Sequence, residues 1–461
     1  MDAMSEPTAP VAGPGAADVS EPARAALFGP GRRATTVGLV LLTLVTAFEA
    51  MGVGTAMPAV IADLGAVSAY GWPFTAFLAA SVLGTVLGGR WCDVAGPRAA
   101  LLVTPLVFAV GLVVAGTAGT MAQLLIGRVL QGGSAGTQFV AVYVAIAAVY
   151  PERSRPALFG LISAAWVLPS LIGPPVAALV TEQFSWHWVF LGLVPFVVVA
   201  LALVVPGVRR LGRSGPPAGT GRGLVAAAAG AALGVTAVSW AGQHPDRLGA
   251  ITAVAALAVL VPALRRLLPA GVFRGGRGIP TVVAARGLIA GVFFAGNSYL
   301  PLILTATHGW SLTAAGVPLV VAALGWAGAS AWQGRHPDLP RTTLLRVGFG
   351  ALAVGVAGLL AVTPAAGPAW VAVPAWTVAG VGMGLGYSAV SYLLLHHSQV
   401  HQVGSHTAAA QVADQLTTAA LVGLGGALLA VLATPATALT VLLVPLVVLA
   451  VLGALLAPRA G

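Results

Sequence analysis

Fourteen apolar stretches, each long enough to cross a bilayer, leave this chain room for almost nothing else. A hydrocarbon core about 30 Å thick takes roughly 20 helical residues. Stretches of that kind run at 34–60, 72–90, 99–117, 120–149, 156–181, 187–206, 223–241, 249–268, 279–304, 312–333, 343–363, 369–394, 405–432 and 436–457. Water is missing at membrane depth, so the backbone has to bond to itself, and runs this long without strict alternation predict helices rather than barrel strands. Composition agrees: 58% of residues are hydrophobic, 7% are charged and the mean hydropathy is +0.96, outside the range of soluble domains. The expected fold class is an all-α integral membrane protein of about 14 transmembrane helices.

A net charge of +10 would suit nucleic acid, but its placement does not. All 22 basic residues are arginine. With the N-terminus in the cytoplasm, 19 of them fall in cytoplasmic segments, Arg247 alone falls in an outer loop, and Arg128 and Arg286 lie within spans. This is the positive-inside pattern. It puts both termini in the cytoplasm, makes the lipid bilayer the partner, and excludes nucleic acid. It also checks the count, since one missing span would scramble it. Residues 1–33 read as a disordered cytoplasmic tail, and the apolar run after Arg32-Arg33, which carries Glu49, reads as a retained first helix rather than a cleaved signal. Cys92 is the single cysteine, so no internal disulfide is expected. Without lysine there is no phosphate-binding Gly-Lys-Thr/Ser loop. No cofactor is expected, and an ion gradient has to supply the energy.

The chain repeats itself. Gly89-Arg90-x-x-Asp93 follows the second span, Gly334-Arg335-x-x-Asp338 follows the tenth, and Arg98 and Arg341 trail them. If the seventh and eighth spans are an insertion, these become equivalent loops of two six-helix halves. The expected division is then a half at 34–206, linkers and two extra helices at 207–278, a second half at 279–457 and a short tail at 458–461. Parallel halves with substrate at midplane between them are one plan of secondary transporters. Sixty glycines and 32 prolines suit close helix contacts and kinks in a membrane, as at Gly84-x-x-x-Gly88 and Gly382-x-x-x-Gly386.

Five patches carry a resemblance to a known family. The loop after the second span reads Gly89-Arg90-Trp91-Cys92-Asp93-Val94-Ala95-Gly96-Pro97-Arg98, with Val94 where a basic residue is usual. The fourth span has Arg128-x-x-Gln131-Gly132, and the fifth has Gly160, Pro169, Gly173, Pro174 and Ala177. Trp186-His187-Trp188 opens the sixth, with His187 in place of arginine. In the first span Glu49, Ala56, Pro58, Asp63 and Leu64 match in place, whereas Met51 and Gly54 depart from the pattern. The chain thus resembles the major facilitator superfamily, in its fourteen-helix drug:proton antiporter branch. That resemblance implies the major facilitator fold, a cytoplasmic gate at Gly89, Asp93, Gly96 and Arg98, with Asp338 its counterpart, and a hinge at Pro169, Gly173 and Pro174.

Physical chemistry assigns work to the polar residues in the spans independently. Intramembrane ionisable residues are costly and usually functional. Thr43, Thr46 and Glu49 share a face of the first span, Arg128, Gln131 and Gln138 a face of the fourth, and Gln411, Asp414, Gln415 and Thr418 a face of the thirteenth. Burial and a nearby arginine act in opposite directions on a carboxyl group, which suits Glu49 to proton exchange. Glu49, Arg128 and Asp414 are the expected proton-coupling residues, with a static Glu49–Arg128 pair as the bland alternative and Asp414 open between structural and substrate-facing roles. Gln131, Gln138, Asn297, Gln411 and Tyr387 are the expected cavity residues, and Trp326, Trp376 and Tyr392 are aromatic candidates that could equally be interface anchors. Arg286, near the start of the ninth span, is expected to snorkel to the surface.

His396, His397, His401 and His406 cluster after the twelfth span. His397 and His401 have a spacing that a metal could use, yet no acid or thiol is near, so no metal is expected.

The function expected is a secondary active transporter of a bacterial inner membrane, not an enzyme. It would be a proton-coupled antiporter exporting drugs or small metabolites and working as a monomer. Deprotonated Glu49 would help hold a substrate, cationic in the simplest case. The alternative is a proton-coupled symporter importing a small solute, and a remoter one is an integral membrane enzyme acting on lipids.

Overall fold

The computed structural model describes residues 27–29, 31–65, 69–150, 155–209, 221–336, 338–398, 402–432 and 434–461. Most of the N-terminal tail, Arg153, most of the first linker and His401 lie outside the described residues. The first half holds α1 (Arg33–Asp63), α2 (Trp72–Ala95), α3 (Pro97–Gly116), α4 (Met121–Val149), α5 (Arg155–Gln183), α6 (His187–Leu191) and α7 (Val194–Val208). Two accessory helices follow, α8 (Gly221–Gln243) and α9 (Arg247–Leu267). The second half holds α10 (Ile279–His308), α11 (Leu312–Arg335), α12 (Arg341–Leu359), α13 (Ala372–His397), α14 (Val403–Val431) and α15 (Pro435–Leu456). No strand occurs among the described residues. Thirteen segments, with α6 and α7 counted as one, are long and apolar enough to cross a membrane, and α5, at 29 residues, has a span's length too.

Two local departures have plain causes. The sixth span is broken at Gly192–Leu193, because Pro195 near the start of α7 has no N–H to bond to the Leu191 carbonyl. The two loops of the repeat also differ. Asp93 lies inside α2, which runs on to Gly96 (φ 75°), whereas α11 stops at Arg335 because His336 precedes a proline and leaves helical geometry. At the opposite end of the bundle, where the loops are poor in arginine, Thr120, Asp246, Ser311 and Thr434 cap helix starts by accepting from a backbone N–H three residues on.

Glycine sets how closely the helices approach, since in lipid it is tight packing rather than water exclusion that holds them together. A methyl group at Gly84 or Gly88 of α2 would overlap Gly133 or Thr137 of α4, and one at Gly132 or Gly136 of α4 would overlap the carbonyls of Phe77 or Ser81. Gly348 on α12 meets Gly382 and Gly386 on α13 in the same way. Both small-xxx-small stretches of the sequence therefore lie at helix crossings.

Two seams stand out where α1–α7 meet α10–α15. One is α2 against α14, where Gly71 abuts Val422 and Gly426 and Gln415 Nε2 donates to Ser81 Oγ at 2.9 Å. The other is α5 against α11, where Glu182 accepts from Thr313 N at 3.0 Å and from Thr313 Oγ1 at 2.6 Å. The accessory α8 covers the first seam. Its Ala228 and Ala231 pack in one cluster with Val82 of α2 and Leu416 and Ala419 of α14, and Gln243 Oε1 accepts from Trp72 Nε1 at 2.8 Å. By contrast α9 is mostly exposed along Leu248, Ile251, Val254 and Leu257, as a lipid-facing helix is.

Thermal unfolding in detergent tests the glycine packing. Gly132→Ala, whose Cβ meets backbone that cannot yield, is expected to cost about 1–3 kcal/mol. Gly328→Ala, with nothing within 4 Å, should leave the melting temperature unchanged or slightly raised.

Candidate functional site

Among the described residues two ion pairs are buried between helices, one joining α1 to α4 and one joining α10 to α14, and they are built differently. In the first half α1 carries Glu49 midway along its length and α4 carries Arg128 two turns from its start. Arg128 Nη1 donates to Glu49 Oε1 and, at 2.6 Å, to Gln131 Oε1. Its Nε donates to the Pro73 carbonyl at 3.1 Å, and the guanidinium lies over the Phe77 ring, 4.5 Å from the centroid. The side chains are 3% and 0% exposed for Arg128 and Glu49. About two turns beyond Gln131 along α4, Gln138 Nε2 donates to Thr46 Oγ1 at 3.1 Å. The polar faces read from the sequence on the first and fourth spans thus meet. Glu49 Oε2 and Gln131 Nε2, an acceptor and a donor, are buried without a partner among the described residues.

The second half assembles α10, α13 and α14. Arg286 Nε donates to Asp414 Oδ2 at 3.3 Å, Nη1 donates to Ser391 Oγ at 3.1 Å, and Nη2 donates to Tyr387 Oη. Tyr387 Oη in turn donates to Asp414 Oδ2 at 3.1 Å. The guanidinium stacks over the Tyr387 ring, 3.6 Å from its centroid. Arg286 and Asp414 are 13% and 9% exposed, so this pair is more open than the first. The expectation that Arg286 snorkels to the surface is therefore corrected: it points inward, where a carboxylate, a phenol and a hydroxyl compensate its charge better than a distant headgroup region. Its stripe could have signalled this, because Arg286, Phe293 and Asn297 recur at i, i+7 and i+11 on one face of α10.

Between the halves lies a cavity of about 20 Å³ lined by Met51, Ser170, Pro174, Phe293, Asn297, Leu319, Ala323 and Trp326. That is space for a water molecule, far below the roughly 300 Å³ of a site holding a drug-sized ligand. Aromatic rings line its second-half wall. Trp326 meets Phe293 edge-on at 5.8 Å and Tyr387 at 5.6 Å, Phe293 stacks on Trp376 at 5.2 Å, and Trp376 Nε1 donates to Asn297 Oδ1 at 3.1 Å. Asn297, Trp326 and Tyr387 are thus brought together. Trp376 is fully buried behind them, Tyr392 lies apart under Arg341, and Gln411 is half-buried one turn before Asp414. Phe293 and Ser391 were not read from the sequence; Phe293 sat among apolar neighbours that give no reason to single it out.

The hinge and gate candidates lie elsewhere. Gly173 packs against Met51 and Gly52 of α1, and Pro174 lies beside Gly316 of α11, where α1, α5 and α11 converge. Pro169 is buried on α5. Asp93, Arg98 and Asp338 are exposed at the arginine-rich end and form no hydrogen bond or ion pair with a described residue, while Gly89 is half-buried and Gly96 ends α2. At the arginine-poor end Tyr70 Oη donates to the Ser298 carbonyl at 2.8 Å, across the halves. Trp186 Nε1 donates to Asp63 Oδ2 at 3.0 Å, joining two of the sequence patches. Of the histidines, His397 bonds the Ala460 carbonyl and His406 bonds Ser398 Oγ, and among the described residues no group of metal-ligating side chains forms.

The sequence profile of the Major Facilitator Superfamily matches residues 39–421. The chain belongs to that superfamily. An uncharacterised MFS-type transporter of Mycobacterium tuberculosis is 30% identical over 337 residues, 70% of this chain and 48% of that one. Multidrug resistance protein 3 of Bacillus subtilis is 31% identical over 169 residues, 37% of this chain and 33% of that one. The chain spans about half the length, or less, of the curated relatives it matches. Among solved structures, a POT family transporter in complex with a thioalcohol-conjugated peptide shares the fold, with a TM-score of 0.68 at 14% identity over 92% of this chain and 96% of that one. The major facilitator architecture expected from the sequence patches is the one found, and its relatives are named as transporters.

The two pairs of this superfamily member should respond differently to substitution. Glu49→Gln or Arg128→Gln alone strands a buried charge or its polar partners and is expected to cost about 3–5 kcal/mol, while the double variant recovers most of it. Arg286→Gln, at a partly exposed site, should cost less. A double-mutant cycle by thermal unfolding reads both.

Proposed function

We propose that the protein is a secondary active transporter, a proton-coupled antiporter that exports drugs or small metabolites across a bacterial inner membrane and works as a monomer. The observation that carries this reading is the Glu49–Arg128 pair: among the described residues Glu49 is the one carboxylate with no exposed surface, and its arginine has two further acceptors. When Glu49 takes up a proton, Arg128 keeps the Gln131 side chain and the Pro73 carbonyl, so neutralising the acid does not strand a bare charge. The unpartnered Glu49 Oε2 and Gln131 Nε2 are where a water could hand that proton over. In this conformation Arg128 occupies Glu49, so substrate is not held by Glu49 directly. Its protonation acts instead by loosening α1 from α4.

The arginine asymmetry supports a cytoplasmic arginine-rich end. Closure at Tyr70–Ser298 and Glu182–Thr313, with Asp93, Arg98 and Asp338 exposed at the other end, supports a conformation shut to the outside. Gly173 and Pro174, where α1, α5 and α11 converge, are the pivot we assign to rocking of the halves, and Pro169 softens α5 one turn away. Binding of proton and substrate has to be mutually unfavourable for exchange, and a membrane potential adds about 2.3 kcal/mol per charge per 100 mV. Export is favoured over import by the naming of relatives as multidrug transporters.

Proton movement in proteoliposomes, driven by a panel of lipophilic cations, zwitterions and neutral metabolites, is the test. Wild type should take up protons against substrate, and both Glu49→Gln and the better-folding Glu49→Gln/Arg128→Gln should lose exchange while still binding substrate. Protons moving in the same direction as substrate would replace antiport by symport.

A further inference from the structure

We propose that the Arg286–Asp414–Tyr387 cluster is the head-group end of the substrate site and that its chemistry selects aromatic zwitterions. This rests on the transport reading of the same cavity. Three observations converge on it. First, the cluster adjoins the path between the halves. Arg286 shares a face of α10 with the cavity residues Phe293 and Asn297, Tyr387 touches the cavity residue Trp326 through its ring, and Tyr143 of α4 in the other half lies within electrostatic reach of Arg286. Second, the pair is partly exposed where the other is sealed. Third, it is joined by a single contact at Arg286 Nε, 3.3 Å from Asp414 Oδ2, and not by the two-pronged face of the guanidinium. Asp414 Oδ1 accepts no hydrogen bond from a described residue, and beyond three N–H groups bonded to Asp414, Ser391 and Tyr387 the Arg286 fork has no further acceptor among them.

Charge balance decides the ligand class. The cluster is neutral as it stands, and Glu49, the other buried carboxylate among the described residues, already has Arg128 as its counter-charge. A cation docking on Asp414 would leave two positive charges sharing one carboxylate, and an anion docking on Arg286 would leave two negative charges on one guanidinium. Either excess is costly in a low-dielectric site. A molecule carrying both an ammonium and a carboxylate engages Asp414 Oδ1 and the Arg286 fork together and leaves the site neutral. The remaining length fits a ring. Arg286 and Phe293 are seven residues apart, or about 10 Å along the helix, so the head group lies beside Tyr387 while a flat ring lies against Trp326 and Phe293 once the cavity widens.

Tryptophan, its methyl ester and its N-acetyl derivative are matched probes of zwitterionic, cationic and anionic form. Calorimetric binding to nanodisc-reconstituted protein should favour tryptophan by about tenfold or more over each derivative. Asp414→Asn should move the preference toward the N-acetyl anion and Arg286→Gln toward the ester, opposite shifts that general damage to the fold would not produce. Equal or tighter binding of the ester or the anion by wild type, absence of binding by all three, or a preference unchanged in both variants would overturn the proposal. Proton exchange with a lipophilic cation in that event would leave the transporter reading standing and remove only the substrate class.

Discussion

A charge placed in hydrocarbon has to bring its counter-charge with it, and that constraint organises the interior of this protein. Among the described residues four charged side chains are drawn well inside the bundle, and they form two arginine–carboxylate pairs, one joining α1 to α4 and one joining α10 to α14. Each pair ties helices that are distant in sequence. Helix rotation is thereby set at those points, because turning either partner away would strand its charge. The two differ in degree: the first is wrapped by Gln131, Pro73 and Phe77, while the second stays partly exposed.

Glycine provides the complementary constraint. Where α2 crosses α4, and where α12 crosses α13, backbone lies against backbone with no room for a single methyl group. Such crossings behave as rigid blocks, since a dense interface has few intermediate arrangements. Motion is then left to the seams between the halves, which are held by a few hydrogen bonds and small residues. The accessory α8 changes the character of one seam. By packing on both α2 and α14 it shields their junction from lipid, so the α5–α11 seam is the one without such a cover from the accessory helices.

Much of this was legible in advance. Length and hydropathy alone place the helices to within a few residues, because a bilayer admits no other way to satisfy so much backbone. Polar residues at helical spacing identify the facing stripes of α1 and α4 and single out Glu49 and Arg128, since each stands out against an apolar background. The partner of Asp414 was not legible. Arg286 lies seven residues into its helix, a position from which a long side chain can reach either the surface or the core, and the choice depends on Tyr387, Ser391 and Asp414 arriving from helices more than 100 residues away. The break at Gly192–Leu193 was within reach through Pro195, but an apolar run hides it.

What the sequence by itself determined is the class of molecule: a bundle of membrane-spanning helices with the major facilitator fold, with a carboxylate and an arginine where lipid would not tolerate either alone. Hydropathy and spacing are local quantities, and local quantities suffice to say which segments enter the membrane. Tertiary structure alone decided which charge meets which, that one pair is sealed and the other open, and that an accessory helix lies over a seam instead of standing apart in lipid. Those outcomes depend on how helices rotate and close upon one another, and close packing at glycine fixes that rotation in ways no single helix encodes.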